Sequence, residues 1–263
     1  MINDAMLYRF CLQAGLPFFG DYGNAAPGYR EKDSYMLALL KDALVGVPGP
    51  SARILEIGSW VGASTATWIW GLRHFHSIAG KVVCVDAWES LDGRNVMPLV
   101  DHSRTIQQKD AAFGGDEAFS LFMHNMRSMG FSNEAMTLRG MSRDVLPLLK
   151  PASFALVFID ASHFYEDVLE DIRNSLPLVA DGGILSGHDF DPDHPGVMQA
   201  VRECFGEITP GDTIWSLRRE GARWIPVCPR PIEDPLLLKQ PQIVGSRALF
   251  KEAFLAYEQL KSL

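Results

Sequence analysis

The stretch that most constrains this chain is Arg53-Ile54-Leu55-Glu56-Ile57-Gly58-Ser59-Trp60-Val61-Gly62-Ala63-Ser64-Thr65. A short apolar run ends in an acid and a glycine, a second glycine follows four positions later, and helical spacing then runs from Ala66 to Arg73. The pattern predicts strand, tight turn and helix. Gly58 frees the backbone to turn sharply, Gly62 leaves room for a ligand to approach, and Ser64 and Thr65 place hydroxyls beside helix N–H groups that have no intrahelical partner.

A dinucleotide fingerprint reads G-x-G-x-x-G and seats a pyrophosphate on the helix N-terminus. Here there are two glycines, with Glu56 just before them, and an acid at that place repels phosphate and suits a cationic amino-acid moiety. On these residues the chain resembles the class I S-adenosylmethionine (SAM) methyltransferases, whose first motif is E/D-x-G-x-x-x-G. The resemblance implies a Rossmann-like α/β fold: a seven-stranded, mostly parallel sheet, helices on both faces and a C-terminal β-hairpin. It also implies SAM as cofactor, contacted by Glu56, Gly58, Ser59, Gly62 and Ser64. Taken alone, the stretch has as its lesser alternative an ordinary strand-to-helix turn of an α/β protein.

Length sets the frame for what surrounds that turn. At 263 residues one α/β core with additions is expected. Residues 1–50 read as an aromatic segment and a helix, 51–228 as the cofactor domain, and 229–263 as a proline-rich segment and a helix. The net charge is −8 and Lys and Arg are scattered, so the basic stripe that nucleic acid demands is missing. A small-molecule acceptor is expected instead. Cys11, Cys84, Cys204 and Cys228 form no C-x-x-C pair, which argues against a zinc knuckle or a disulfide framework. No leader pattern and no run of about 18 apolar residues occurs, so the expectation is a soluble, cytoplasmic protein with no membrane segment.

In chain order, residues 1–28 are aromatic-rich and too apolar for a free tail, so they pack on the domain, cover the site or meet another subunit. A helix is expected from Glu31 to Val45, stopped by Val47-Pro48-Gly49-Pro50, and it reads as scaffold rather than site. Lys81-Val82-Val83-Cys84-Val85-Asp86 is a second strand ending in an acid. At the carboxyl edge of a parallel sheet such a carboxylate accepts both hydroxyls of a ribose. Trp88 either covers the adenine or fills the core. Residues 89–114 break the rhythm and are expected as an insertion over the site. A helix at Glu117–Met129 and a strand at Met136–Gly140 follow. In the family resembled, the turn after that strand holds the adenine edge, which nominates Met141 and Ser142, although an N-cap role explains Ser142 equally well.

The densest chemistry comes next. Phe154 to Ile159 is a buried strand opening into Asp160-Ala161-Ser162-His163. A helix follows, and then Gly182-Gly183-Ile184-Leu185-Ser186-Gly187-His188-Asp189. Two parallel strands would each deliver an acid to one edge, Asp160 and Asp189, with His163 and His188 alongside. That set suits a divalent cation combined with a base.

The order I-D-A-S-H, helix, G-G-I-L-x-G-H-D-F and then Pro195-Gly196-Val197 is similar to the macrocin-type and related sugar O-methyltransferases, over about Arg53 to Phe205. In metal-dependent members an aspartate after the fourth strand and a pair of acids after the fifth bind Mg²⁺, and a histidine three residues past the first aspartate is the base. Carried over, Asp160, Asp189 and His188 are the metal positions, His163 and Asp160 the catalytic ones, and Asp160 is a cofactor-binding position as well. His188 stands where those enzymes carry a second acid, and an imidazole there leans toward Mn²⁺, Fe²⁺ or Zn²⁺, or toward no metal. Ile208–Arg218 and Ala222–Val227 are expected as the closing hairpin, its last strand antiparallel to its neighbours. Ser246–Leu260 reads as an amphipathic helix that pairs subunits into a homo-oligomer or packs on the domain. The expected function is SAM-dependent methyl transfer to a hydroxyl of a sugar or other small polar metabolite. The alternatives are a non-catalytic SAM-fold binding subunit and a nicotinamide-dependent oxidoreductase, the latter disfavoured by the missing third glycine.

Overall fold

The computed structural model describes residues 10–19, 30–48, 52–76, 80–88 and 117–233, together with Leu255 and Gln259. After a short helical piece at residues 10–14 come helix α1 (Arg30–Ala43), strand β1 (Arg53–Ile57), α2 (Ala63–His76), β2 (Lys81–Asp86), α3 (Glu117–Ser128) and β3 (Ala135–Arg139). A single turn α4 (Ser142–Val145) and a 3-10 turn (Leu146–Leu148) lead to β4 (Phe154–Ile159), α5 (Tyr165–Ser175), β5 (Val179–Gly187) and α6 (Pro195–Phe205). The chain then forms β6 (Trp215–Glu220) and β7 (Arg223–Pro226).

All seven strands form one sheet in the order β3-β2-β1-β4-β5-β6-β7. The first five pair in parallel, and β6 and β7 follow as the antiparallel hairpin. The expected seven-stranded Rossmann-like α/β sheet is therefore present. Because β1 lies between β2 and β4, the strand order reverses there, and ligands of such sheets bind in the crevice beyond the carboxyl ends at that point. All six residues of β4 are buried, as an apolar run covered on both faces requires. One face carries α1, α2 and α3, with Leu39, Trp68 and Phe122 in its core, and Trp68 meets Phe158 edge-on at 5.1 Å. The other face carries α5 and α6 through Val168, Ile172, Val197 and Val201.

Two differences from expectation have local causes. Strand β5 starts three residues early, at Val179, because a register shift against Phe154–Leu156 absorbs Gly182 and Gly183, the former at φ +76°. Strand β6 starts at Trp215 rather than Ile208, because a tight turn bridges Gly211 to Ile214 with Asp212 at φ +57°. The strand antiparallel to both its neighbours is thus the sixth, and the seventh is an edge.

Of the N-terminal aromatic region, the described part packs on the domain. Phe10, Cys11, Phe18 and Phe19 are buried with Val61 and Leu121. The fully buried Asn125 fixes it: its Oδ1 accepts the Phe18 N–H (2.8 Å), and its Nδ2 donates to the carbonyls of Phe18 (2.7 Å) and Val61 (2.9 Å). The expected insertion at 89–114 lies outside the described residues. So does the 246–260 helix, with the subunit pairing read from it, except for Leu255 and Gln259, which are helical. Among the described residues no helix is long and apolar enough to cross a membrane.

Helix α5 carries a buried acid, Asp171, which burial pushes up to about 7 against the opposing hydrogen bond of Ser142. Its folded value lies above the unfolded one, so the native state binds the extra proton and stability from this group is lost as pH rises from about 4 to about 7. Asp171→Asn should therefore gain stability over the wild type between pH 5 and pH 8, approaching a difference on the order of 3 kcal/mol. Paired denaturant melts at the two pH values check this, and a pH-independent difference would contradict it.

Candidate active site

The turn after β1 is braced from below. Glu56 has no exposed surface, and its Oε2 accepts the hydroxyls of Ser59 (2.6 Å) and Thr65, while Oε1 is buried without a hydrogen-bond partner. Burial raises the Glu56 carboxyl, opposed by the Ser59 and Thr65 hydroxyls. Glu56 thus sits under the turn rather than on the cleft surface, and Ser59 points inward with it. Gly58, at φ +86°, packs on the backbone of Asp160 so closely that a Cβ would overlap that carbonyl. Gly62, at φ +89°, was expected to leave room for a ligand. The space beside it is instead taken by α3, with Met126 Cε 2.6 Å and the Phe122 ring 3.1 Å from where a Cβ would stand, and the positive φ is what demands glycine. Ser64 is half-buried on the first turn of α2.

Asp86 joins this turn to the next. Its Oδ2 accepts the Trp60 N–H (2.8 Å) and its Oδ1 the Trp88 N–H (2.7 Å), and both tryptophans have positive φ, +41° and +46°. One carboxylate therefore holds two backbones in a sparsely populated conformation and keeps lone pairs for further donors. Of the two roles considered for Trp88, the structure gives core filling: it is 2% exposed, packs on Phe119 and Phe122, and donates its indole N–H to the Trp60 carbonyl (2.6 Å). Met141 is the N-cap of α4 and stands 43% exposed at the cleft end of β3. Ser142 is not the cap; it opens the helix and its hydroxyl engages Asp171 of α5.

The sequence-nominated acids and histidines come together beyond β4 and β5. Hydrogen bonding continues past the strand ends: the Asp160 N–H donates to Ile57 (2.8 Å) and the His188 N–H to Ile159 (3.0 Å), which sets both side chains on one edge. Gly187 must lack a side chain because a Cβ would meet the Ile159 carbonyl and the Trp215 ring at 2.7 Å. Asp189 follows at φ +57°, a strained conformation for a non-glycine residue. His188 Nδ1 lies 2.8 Å from Asp189 Oδ1 and 3.5 Å from Asp160 Oδ1, and its Nε2 is 2.9 Å from Thr213 Oγ1. His163 Nε2 lies 2.8 Å from Asp189 Oδ2.

Three further residues had been missed. Helix α1 is more than the expected scaffold, since its Lys32 places Nζ 3.3 Å from Asp160 Oδ2 across 128 positions of sequence, a distance at which no motif spacing reports. Asp191 and His194 extend the cluster: His194 Nδ1 is 2.9 Å from Asp191 Oδ1, and the His194 ring meets His163 edge-on at 4.5 Å. Their signal was legible as the density of Asp and His in His188-Asp189-Phe190-Asp191-Pro192-Asp193-His194.

Charge explains the protonation of this group. Burial raises Asp160 and Asp189, but Lys32 and His188 outweigh it at the first, and His163 and His188 at the second, so both stay below the ordinary carboxylate range. Burial lowers His188, yet the two carboxylates raise it to about 9, and His163 is likewise raised by Asp189 against burial. Among the described residues, two sets of donor atoms lie within 4.8 Å of one another, Asp160–His188–Asp189 and His163–Asp189–His194. The first fits the divalent cation that the resemblance implies, with a mixed oxygen and nitrogen donor set that suits Mn²⁺ better than Mg²⁺.

Comparison with known proteins bears on the family and the fold. A family described as a methyltransferase domain matches residues 55–190, just over half of the chain. No curated protein sequence gives a significant match. Among solved structures, the O-methyltransferase NovP is 19% identical with a TM-score of 0.56, over 72% of this chain and 80% of that one, and supports a shared fold. CalS11, described as a TDP-rhamnose 3'-O-methyltransferase of calicheamicin biosynthesis, is 19% identical with a TM-score of 0.42 over 74% and 77%. An O-methyltransferase from Bacillus cereus in complex with SAH is 18% identical with a TM-score of 0.43 over 77% and 80%. The matched span runs from the glycine turn to the acids after β5, and the chain belongs to this methyltransferase-domain family: it is a methyltransferase of the class I fold.

Proposed function

We propose that the protein is a SAM-dependent O-methyltransferase acting on a hydroxyl of a sugar or other small polar metabolite. The observation that carries this is the juxtaposition of His163 with the Asp160–Asp189 pair at the carboxyl edge, beside the glycine turn. The missing third glycine and the methyltransferase-domain match leave a nicotinamide reading without support. Incubation with methyl-labelled SAM and a panel of free and nucleotide-linked sugars, read by mass spectrometry, tests it. Label on oxygen supports the reading, and transfer only to nitrogen or carbon acceptors overturns it.

SAM supplies a methyl group activated by its sulfonium. The proposed contacts are the backbone of the turn at Gly58, Ser59 and Gly62, then Ser64, Met141 and Ser142 along the groove and Asp86 at its ribose end, with Glu56 supporting the turn from beneath. The spare lone pairs of Asp86 suit a ligand that brings a diol, and Glu56, buried beneath the turn, acts by holding Ser59 and Thr65 in place. Asp86→Ala should weaken SAM binding in calorimetry; unaltered affinity removes Asp86 from the cofactor site.

An alcohol is a poor nucleophile at neutral pH, so a base must take its proton as the carbon–oxygen bond forms. His163, held on Asp189, has that role, and Asp160 and Asp189 orient the acceptor edge. His163→Ala should lower kcat by about 10²–10⁴ with SAM affinity near wild type. A loss below about fivefold at saturating SAM and acceptor excludes the role. A large loss confined to His188→Ala moves it to that ring.

A divalent cation held by Asp160, Asp189 and His188 would lower the pKa of the acceptor hydroxyl and fix it for transfer. Exhaustive EDTA treatment should reduce turnover more than SAM binding; unchanged turnover leaves the two acids as hydrogen-bonding groups only.

A further inference from the structure

Lys32 stands out because nothing in the proposed reaction requires it. It comes from the N-terminal helix, its side chain is 23% exposed, and its ammonium is aimed at Asp160 rather than at solvent. Asp160 therefore meets a cationic group on one oxygen and the His188 ring on the other: Oδ2 faces Lys32 at 3.3 Å, and Oδ1 faces His188 Nδ1 at 3.5 Å. An ordered ammonium on a carboxylate that also serves a divalent cation is a competitor for it. Two positive charges a few ångströms apart in a partly buried site repel strongly, whichever oxygen each takes. Lysine suits such a part, being a compact point charge on a flexible four-carbon stem that can leave without disturbing the backbone.

We propose that Lys32 is the resident counter-cation of the carboxylate pair, seated on Asp160 when no metal is bound and displaced when a divalent cation enters. The inference rests on the reading of Asp160, His188 and Asp189 as the cation ligands. Its consequence is that metal affinity is set by the docking of α1 as much as by the ligands themselves. The site is thereby kept charge-compensated without metal, and entry of the cation is coupled to release of a side chain from the N-terminal helix.

The test needs no acceptor and no turnover. Free Mn²⁺ is titrated by electron paramagnetic resonance against the wild type, Lys32→Met and Lys32→Arg, each confirmed as folded by circular dichroism. Lys32→Met should bind Mn²⁺ at least about tenfold more tightly than the wild type, because the repulsion is gone, and Lys32→Arg should not. Equal or weaker binding by the Met variant overturns the proposal, as does the same gain in the Arg variant. A second measurement uses unaltered protein and covers the case in which the variants do not fold. Reductive methylation of Lys32, read by peptide mass spectrometry, should increase when Mn²⁺ is added, and labelling that is indifferent to saturating Mn²⁺ overturns the displacement. Failure of methyl transfer to hydroxyls would alter neither readout, so the two readings fail separately.

Discussion

Two carboxylates at the ends of adjacent parallel strands repel each other, and much of the site is the answer to that repulsion. Asp160 and Asp189 are separated by the width of one strand pairing, and burial denies them the screening of bulk water. Positive charge is supplied from three separate elements: Lys32 from α1, His163 from the β4–α5 turn and His188 from the end of β5. Since these elements are far apart in sequence, the charge balance of the site exists only in the folded chain. The same interactions explain why Asp189 tolerates a left-handed backbone, for two imidazoles hold its carboxylate in place.

A second carboxylate, Asp86, acts mechanically on the other side of the groove. By accepting N–H groups from Trp60 and Trp88 it locks the turns after β1 and β2 to each other, and Glu56 supports the first of these from beneath. The groove is thus braced beside the glycine turn and charge-balanced at the ends of β4 and β5. Rigid placement of reacting groups on strand ends is what lets a modest set of side chains orient two reactants.

The sheet was legible because its strands are short apolar runs punctuated by glycine and acid, and parallel strands buried on both faces leave little alternative. Asp160, His188 and Asp189 were legible because they follow at the end of such a run, and His163 because it lies three residues past Asp160 in the turn that run opens into. Lys32 was not, because a lysine on an amphipathic helix carries no mark distinguishing a solvated side chain from one that crosses the molecule. The inward orientation of Trp88 and Glu56 was equally hidden, since strand-end residues turn to solvent or core according to partners elsewhere, here Phe119 and Phe122 for one and Thr65 for the other. The start of β6 at Trp215 hinged on a four-residue turn at Gly211–Ile214, too local for hydrophobic periodicity to register.

The Asn125 clamp has a further consequence. One amide side chain satisfies both backbone groups of Phe18 and the carbonyl of Val61, and Val61 belongs to the glycine turn itself. A chain begun at residue 30 would leave that amide with a donor and an acceptor unanswered in an apolar setting and would bare Val61 and Leu121 to water. Residues 10–19 are therefore part of the foundation of the glycine turn, and trimming them to obtain a smaller core would remove one of its supports.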